Sequence, residues 1–214
     1  MNSLQVAIID YGMGNLRSVA NAFRAVAPDV RIEVTSDPAH IAAAERVVFP
    51  GQGAMPDCIR ELDARGLRQA VTDATREKPF LGICIGLQML FEHSEEGDTP
   101  GLGIYPGEVK RFPAEKMFDE HGAKLKVPHM GWSQVQQAAP HALWHDIPDQ
   151  ERFYYVHSYY VEPDDAALTA ATTAYPFDYT CAIARDNVFA VQFHPEKSAA
   201  AGLQLLRNFV NWKP

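Results

Sequence analysis

Cysteine is scarce in this 214-residue chain. Cys58, Cys84 and Cys181 are odd in number, widely spaced and without a CxxC pair. Neither a disulfide framework nor a cysteine-based zinc site is expected from that pattern. Basic residues are outnumbered, 19 Lys and Arg against 27 Asp and Glu, for a formal net charge of −8. That balance argues against non-specific binding to nucleic acid or to an anionic membrane, both of which need a basic footprint. Long apolar runs are missing too. The longest, Pro79–Phe91, covers 13 residues, short of the roughly 18 that span a bilayer. Residues 1–10 have neither a basic start nor a long apolar core, so no secretion signal is expected. No HExxH stands in the chain; His141 and His145 are four apart without the intervening Glu and read as solvated helix residues. No metal or cofactor is therefore expected. Gly12-Met13-Gly14 has Arg17 where a dinucleotide fingerprint needs its third glycine, and reads as a tight turn.

What is present points to a soluble, cytoplasmic chain folded as one domain over 1–214. It is 47% apolar, and at this length folding buries roughly 70% of the unfolded surface. Val6–Ile9 is a continuous apolar run, as in a strand covered on both faces. Leu16, Val19, Ala20, Phe23, Val26 and Ala27 recur at spacings of three and four, giving an amphipathic helix that ends at Pro28. Ile32 and Val34 mark a second strand, Asp37-Pro38 a capped helix start, and Val47–Phe49 a third strand ending at Pro50-Gly51. Helical spacing fills 55–76 with a break at Gly66. Phe80–Ile83 is a fourth strand, and Leu87–Phe91 is expected to run on as helix. Strand and helix alternating four times predict an α/β fold: an open, mostly parallel twisted sheet with helices on both faces.

The second half reads differently. Glycine and proline cluster from 97 to 107, and 112–126 is irregular. Strands are expected at 132–135, 153–161, 168–173, 179–184 and 188–193, with a hairpin turn at Arg185-Asp186-Asn187. Leu203, Leu206, Phe209 and Val210 predict a closing helix. The C-terminal part is thus an antiparallel extension of the sheet.

The chemistry concentrates in Gly82-Ile83-Cys84-Ile85-Gly86, a G-x-C-x-G and the thiol counterpart of the nucleophile elbow. A residue on such a strand-to-helix turn is held in a strained conformation, and small neighbours two positions away relieve the crowding. The sulfur would stand at a helix N-terminus, where the dipole favours thiolate, and the N–H of Ile85 would face an oxyanion. A small buried thiol between packing glycines accounts for this motif equally well. A base for the thiol is offered by His194, in Phe193-His194-Pro195-Glu196, at the carboxyl end of a strand. Proline stops the strand, and Glu196 can return to the other ring nitrogen. Alone, that tripeptide is equally a surface turn. Pro50-Gly51-Gln52-Gly53, after the third strand, can bring a second N–H to the oxyanion or serve as an ordinary turn. His157, in an aromatic strand, is either a second site histidine or packing.

Together these segments resemble the class I (triad) glutamine amidotransferases over nearly the whole chain. Asp10–Ser18, Pro50–Met55, Pro128-His129-Met130-Gly131-Trp132 and Phe153–Tyr159 are most similar to the glutaminase subunits of imidazole glycerol phosphate synthase, with Ser133 standing where Asn is usual. The resemblance implies Cys84, His194 and Glu196 as the catalytic triad and an oxyanion hole from Gly51, Gln52 and Ile85. It also implies glutamine contacts from Gln88, Ser158 and Tyr159, and no cofactor. The implied partner is a (β/α)8 cyclase subunit docked near Asn15 and Lys197, with glutaminase activity low until docking flips the Gly51–Gln52 peptide. Two alternatives stand beside this: the glutaminase of a pyridoxal phosphate, anthranilate or carbamoyl phosphate synthase, and a binding module that has lost activity.

Overall fold

The computed structural model describes residues 5–119 and 121–214. The first half is β1 (Gln5–Ile9), α1 (Leu16–Val26), β2 (Arg31–Thr35), α2 (Pro38–Ala43), β3 (Arg46–Gly51), α3 (Met55–Ala64), α4 (Arg68–Glu77) and β4 (Phe80–Cys84). A one-turn α5 (Ile85–Gln88) follows, then β5 (Phe91–Ser94), β6 (Thr99–Pro100), β7 (Tyr105–Arg111), β8 (His129–Gln134) and β9 (Gln136–Gln137). The chain closes with β10 (Arg152–His157), β11 (Tyr159–Pro163), β12 (Thr169–Ala174), β13 (Asp178–Arg185), β14 (Val188–Val191) and α6 (Ala199–Asn211).

One sheet runs in the order β2-β1-β3-β4-β14-β13-β11-β7-β5-β6, with β12 on β13 and β9 on β12, while β8 and β10 pair separately. From β2 to β14 every pairing is parallel. Inward of the edge strand β2 the strands are largely apolar; β3, β4 and β14 are buried throughout, as a sheet covered on both faces requires. The chain steps from β1 outward to β2, then back past β1 to β3 and β4. Right-handed crossovers therefore place α1 on one face and α2 to α4 on the other. Phe23 of α1 meets Phe209 of α6 edge to face at 6.1 Å between ring centroids, so α6 shares α1's face. The reversal of direction at β1 opens a crevice beyond the carboxyl ends of β1, β3, β4 and β14.

Local signals set several boundaries. Asn15 caps α1 by accepting from the Ser18 N–H, and Asp37 caps α2 by accepting from the Ala39 N–H. At the β13–β14 hairpin Arg185 pairs with Val188, and Asp186 takes a φ of +52°.

Three expectations are corrected. Leu87–Phe91 does not continue as helix: α5 stops after one turn because Leu102, Ile104 and Gly103 donate to the carbonyls of Met89, Leu90 and Phe91. An apolar run buried on every side carries no period that tells helix from strand. His141 and His145 are not on an α-helix either. His141 caps a 3-10 turn, its Nδ1 accepting from the Leu143 N–H, and its ring packs against Phe189 at a tilt and Trp212 edge to face; His145 is exposed. The expected strand 153–161 divides at Ser158 into β10 and β11. Beyond those, β6 and the start of β7 lie within the glycine- and proline-rich stretch 97–107. Among the described residues no helix is long and apolar enough to cross a membrane, and all three cysteines are free and buried.

Candidate active site

Cys84 ends β4 at φ 57°, ψ −112°, a conformation that a residue with a Cβ adopts only under constraint. The constraint is packing on both sides of the turn. A Cβ on Gly86 would lie 1.8 Å from the Phe49 carbonyl oxygen, and one on Gly51 would lie 2.6 Å from the Ile85 Cβ. Only glycine lets the elbow sit this close to β3. Cys84 is 3% exposed and lines a cavity of about 310 Å³. Gln52, Gly53, Ile85, Gln88, Ser158, Tyr159 and His194 line the same cavity, as does His157.

His194 follows β14, which lies beside β4 in parallel register. Its backbone is fixed at both ends: the N–H donates to the Tyr154 carbonyl at 2.9 Å, and its carbonyl accepts from Ser198 Oγ at 2.6 Å. Pro195 starts a 3-10 turn that swings Glu196 back, so that His194 Nδ1 donates to Glu196 Oε1 at 2.9 Å. Both side chains are nearly sealed from solvent, 4% and 1% exposed. With Nδ1–H committed to the carboxylate, Nε2 is the free end of the ring, and it has no hydrogen-bond partner. Burial works against the imidazolium. The neighbouring Cys84 sulfur and the Glu196 carboxylate outweigh it and hold His194 up at about 10. A thiol, an imidazole and a carboxylate thus converge in sequence as a nucleophile, its base and the group that orients the base.

Gln88 is 1% exposed on α5, and its Nε2 donates to the Tyr159 carbonyl and to Gln192 Oε1, each at 3.0 Å. Its Oε1 is buried with no partner. His157 is packing in the main: Nδ1 lies 2.8 Å from the Tyr159 carbonyl and Nε2 2.9 Å from the Tyr179 hydroxyl, although one edge reaches the cavity. Asn15 and Lys197 do not line the cavity; the turn carrying Lys197 packs against α1, the helix that Asn15 caps. Ser133 bonds His129 Nε2 at 2.9 Å. Gly12-Met13-Gly14 is the expected turn, closed by the Gly12 N–H donating to Asp10 Oδ1 at 2.9 Å.

Four residues at the site escape the sequence reading. Glu96 lines the cavity and accepts from the Met55 N–H at 2.8 Å. Gln192 is fully buried and bonds both Gln88 and Cys84. Tyr11 is buried with its hydroxyl under Gly51, and Cys58 Sγ donates to the Gln52 carbonyl at 3.6 Å. Burial pushes the Cys58 thiol up to about 11, so it stays a neutral donor. The one available signal was Gln192, a lone amide inside the apolar run 188–193.

The family profile for class-I glutamine amidotransferases matches residues 7–212. The chain belongs to that family. Among relatives, the amidotransferase is 68% identical over 209 residues to the imidazole glycerol phosphate synthase subunit HisH of Nitrosospira multiformis, covering 98% of each chain. It is 56% identical over 214 residues to HisH of Nitrosomonas europaea, covering 100% of each. Solved amidotransferase structures share the fold at low identity. One superposes with a TM-score of 0.70 at 14% identity over 96% of this chain and 97% of the other. A second, from Thermotoga maritima, gives 0.60 at 19% identity over 94% and 80%.

Proposed function

We propose that this chain is the glutaminase subunit of an imidazole glycerol phosphate synthase, a single domain over 1–214 acting in the cytoplasm. The observation that carries the reading is the elbow cysteine facing a buried imidazole whose other nitrogen is held by Glu196 at 2.9 Å. The names of relatives 56–68% identical supply the synthase.

The chemistry follows from the geometry. Cys84 sulfur attacks the side-chain carboxamide carbon of glutamine, and the carbonyl oxygen becomes an oxyanion taken by the N–H of Ile85 and the Gly51–Gln52 peptide. Losing one such donor typically costs about 10²–10³ in turnover. The proton held on His194 passes to the departing nitrogen, releasing ammonia and leaving a thioester. Water, deprotonated by His194, then cleaves the thioester to glutamate and restores the thiol. Gln88, Ser158 and Tyr159 hold the substrate, and the Glu96 carboxylate and the unpartnered Gln88 Oε1 suit its ammonium group.

Ammonia protonates at neutral pH and is then no nucleophile, which favours direct transfer to a cyclase subunit. Met130 and Trp132 of β8 are 62% and 47% exposed, close in sequence to Pro128 at the cavity rim. Such an exposed apolar pair beside a site suits a partner surface, with Asn15 and Lys197 at the docking face. Partner binding flips the Gly51–Gln52 peptide and completes the oxyanion hole. The test is glutamine turnover by the chain alone and mixed with the cyclase subunit and its nucleotide substrate, alongside Cys84→Ser. Stimulated turnover, abolished by the substitution, supports the reading. Equal turnover with and without the cyclase refutes partner activation, and turnover by Cys84→Ser refutes the nucleophile.

A further inference from the structure

Gln192 stands just beyond β14, with its backbone N–H tied to the Cys181 carbonyl at 2.8 Å. Its carboxamide is fully buried between Gln88 and Cys84. A carboxamide can present either its oxygen or its NH₂ to a neighbour, and here the surroundings leave one choice. The Tyr159 carbonyl only accepts, so the Gln88 atom that meets it is the NH₂. The same NH₂ faces Gln192, so the Gln192 atom toward Gln88 is the acceptor oxygen. What remains for the sulfur, at 3.7 Å, is the Gln192 NH₂. A backbone carbonyl thus fixes, through two amides, the sign of the group that meets Cys84.

We infer that Gln192 is a positioning residue for the nucleophile: its N–H donates to the Cys84 sulfur and favours the sulfur's anionic form, with its polarity set by Tyr159 through Gln88. The inference deepens the glutaminase reading and rests on Cys84 being the nucleophile. Two features give the donor a purpose. First, α5 is a single turn, so few peptide dipoles add behind the sulfur and the helix-dipole support expected from the sequence is small. A directed N–H supplies what the short helix does not; hydrogen bonds to charged groups are roughly twice as strong as neutral ones. Second, Gln88 and Tyr159 line the cavity, so a ligand that moves them acts on the sulfur through Gln192. The titratable groups acting on Cys84 are His194 after β14, Tyr11 after β1 and Cys58 on α3. Substitution at Gln192 removes none of them; Gln192→Met adds no charge and so carries the test of the N–H, whereas Gln192→Glu adds a carboxylate that itself disfavours the anionic sulfur.

Two variants separate the roles. Gln192→Glu keeps the shape and the acceptor for Gln88 but, ionised, offers the sulfur no N–H. Gln192→Met removes both groups. The primary readout is the rate of Cys84 alkylation by iodoacetamide across pH in the full chain, mapped by mass spectrometry, with glutamine kinetics in the cyclase complex beside it. Both variants are expected to alkylate about 10-fold more slowly at pH 7, with the profile displaced about one unit or more to alkaline pH. Gln192→Glu lowers kcat about 10-fold with KM within about 2-fold, whereas Gln192→Met also raises KM because Gln88 is released. Folded variants with the wild-type alkylation profile and kcat overturn the inference. If either variant fails to fold, the side-chain amide signals of Gln192 in wild-type protein decide. A shift tracking the alkylation profile supports the contact, and signals that stay constant overturn it. A wild-type complex that neither alkylates at Cys84 nor turns over glutamine overturns the nucleophile reading itself.

Discussion

Lowering the pH from 6 to 5 should destabilise this protein through two buried histidines. The Tyr159 carbonyl accepts from His157 Nδ1–H at 2.8 Å, which leaves His157 Nε2 bare to accept from the Tyr179 hydroxyl at 2.9 Å. That hydroxyl then accepts from His129 Nδ1–H at 3.1 Å, and His129 Nε2 accepts from Ser133 Oγ at 2.9 Å. The two links in which Nε2 accepts need neutral rings. Burial lowers His129 to about 4, and burial, outweighing the Tyr159 carbonyl, lowers His157 to about 3. In the unfolded chain both titrate near 6.5. Between those limits the unfolded state binds more protons, so stability rises with pH and is lost on acidification. From pH 6 to 5 each ring costs about 1.2 kcal/mol, together roughly 2–3 kcal/mol. His194, held up at about 10, is protonated in both states across most of this window and contributes little to the slope. For a chain of this size the loss corresponds to about 5–10 °C in Tm. Thermal melts at pH 6, 5.5 and 5, with NMR titration of the two rings, measure it. Rings titrating near 6.5 in the folded protein, or a Tm change under about 2 °C, refute the reasoning.

Glu196→Gln keeps an acceptor for His194 Nδ1 but removes the charge. His194 should then fall below about 10, the Cys84 sulfur still holding it up, and kcat should drop at least about 10-fold, visible in the pH profile of kcat; an unchanged profile contradicts this. Gly86→Ala sets a Cβ 1.8 Å from the Phe49 carbonyl oxygen, a clash with backbone beyond ordinary overpacking of about 1–3 kcal/mol. Little soluble protein or a Tm lower by several degrees is expected, and a melt within 1 °C of wild type, on the order of experimental error, defeats the steric argument. Cys58→Ala removes the donor to the Gln52 carbonyl and should cost about 1 kcal/mol. Hydrogen exchange at Gln52 and Gly53 should speed up, with partial recovery in Cys58→Ser; equal exchange rates in all three proteins exclude an anchoring role.

The parallel half of the fold is legible because its signals are local. Apolar runs, the caps at Asn15 and Asp37, and the glycines around Cys84 each specify a turn or an element within a few residues. The same holds for His194 and Glu196, which lie two apart and need only Pro195 to meet. Illegible parts depend on distant partners. Tyr105-Pro106-Gly107 ends the glycine- and proline-rich stretch and carries no strand signal, yet β7 exists because β11 and β5 flank it. Leu87–Phe91 loses its helix to hydrogen bonds from residues 102–104. Gln192 meets Gln88 and Cys84 across 104 and 108 residues, a pairing that no local period encodes.

The Gln192–Gln88 contact leads to one atom, the Tyr159 carbonyl oxygen, which accepts from both Gln88 and His157. A carbonyl has two lone pairs, and both are engaged. On one side the amides lead to a sulfur beside a charged imidazole; on the other, neutral rings lead out to Ser133 on β8. Protonating His157 adds a hydrogen at Nε2, toward Tyr179, while Nδ1–H continues to donate to Tyr159. His129 does not touch this carbonyl, so on protonation of either ring the carbonyl keeps both donors, and the polarity of Gln88 and Gln192 survives. Acid should consequently lower the stability of the fold, by protonating these rings in the unfolded chain, before it disturbs the nucleophile. In the cyclase complex at pH 5.5, Tm should fall from its pH 6 value while the rate of Cys84 alkylation by folded protein follows only the ionisation of the sulfur. A break in the alkylation profile coinciding with titration of His129 or His157 would show that the two branches are not separated at Tyr159.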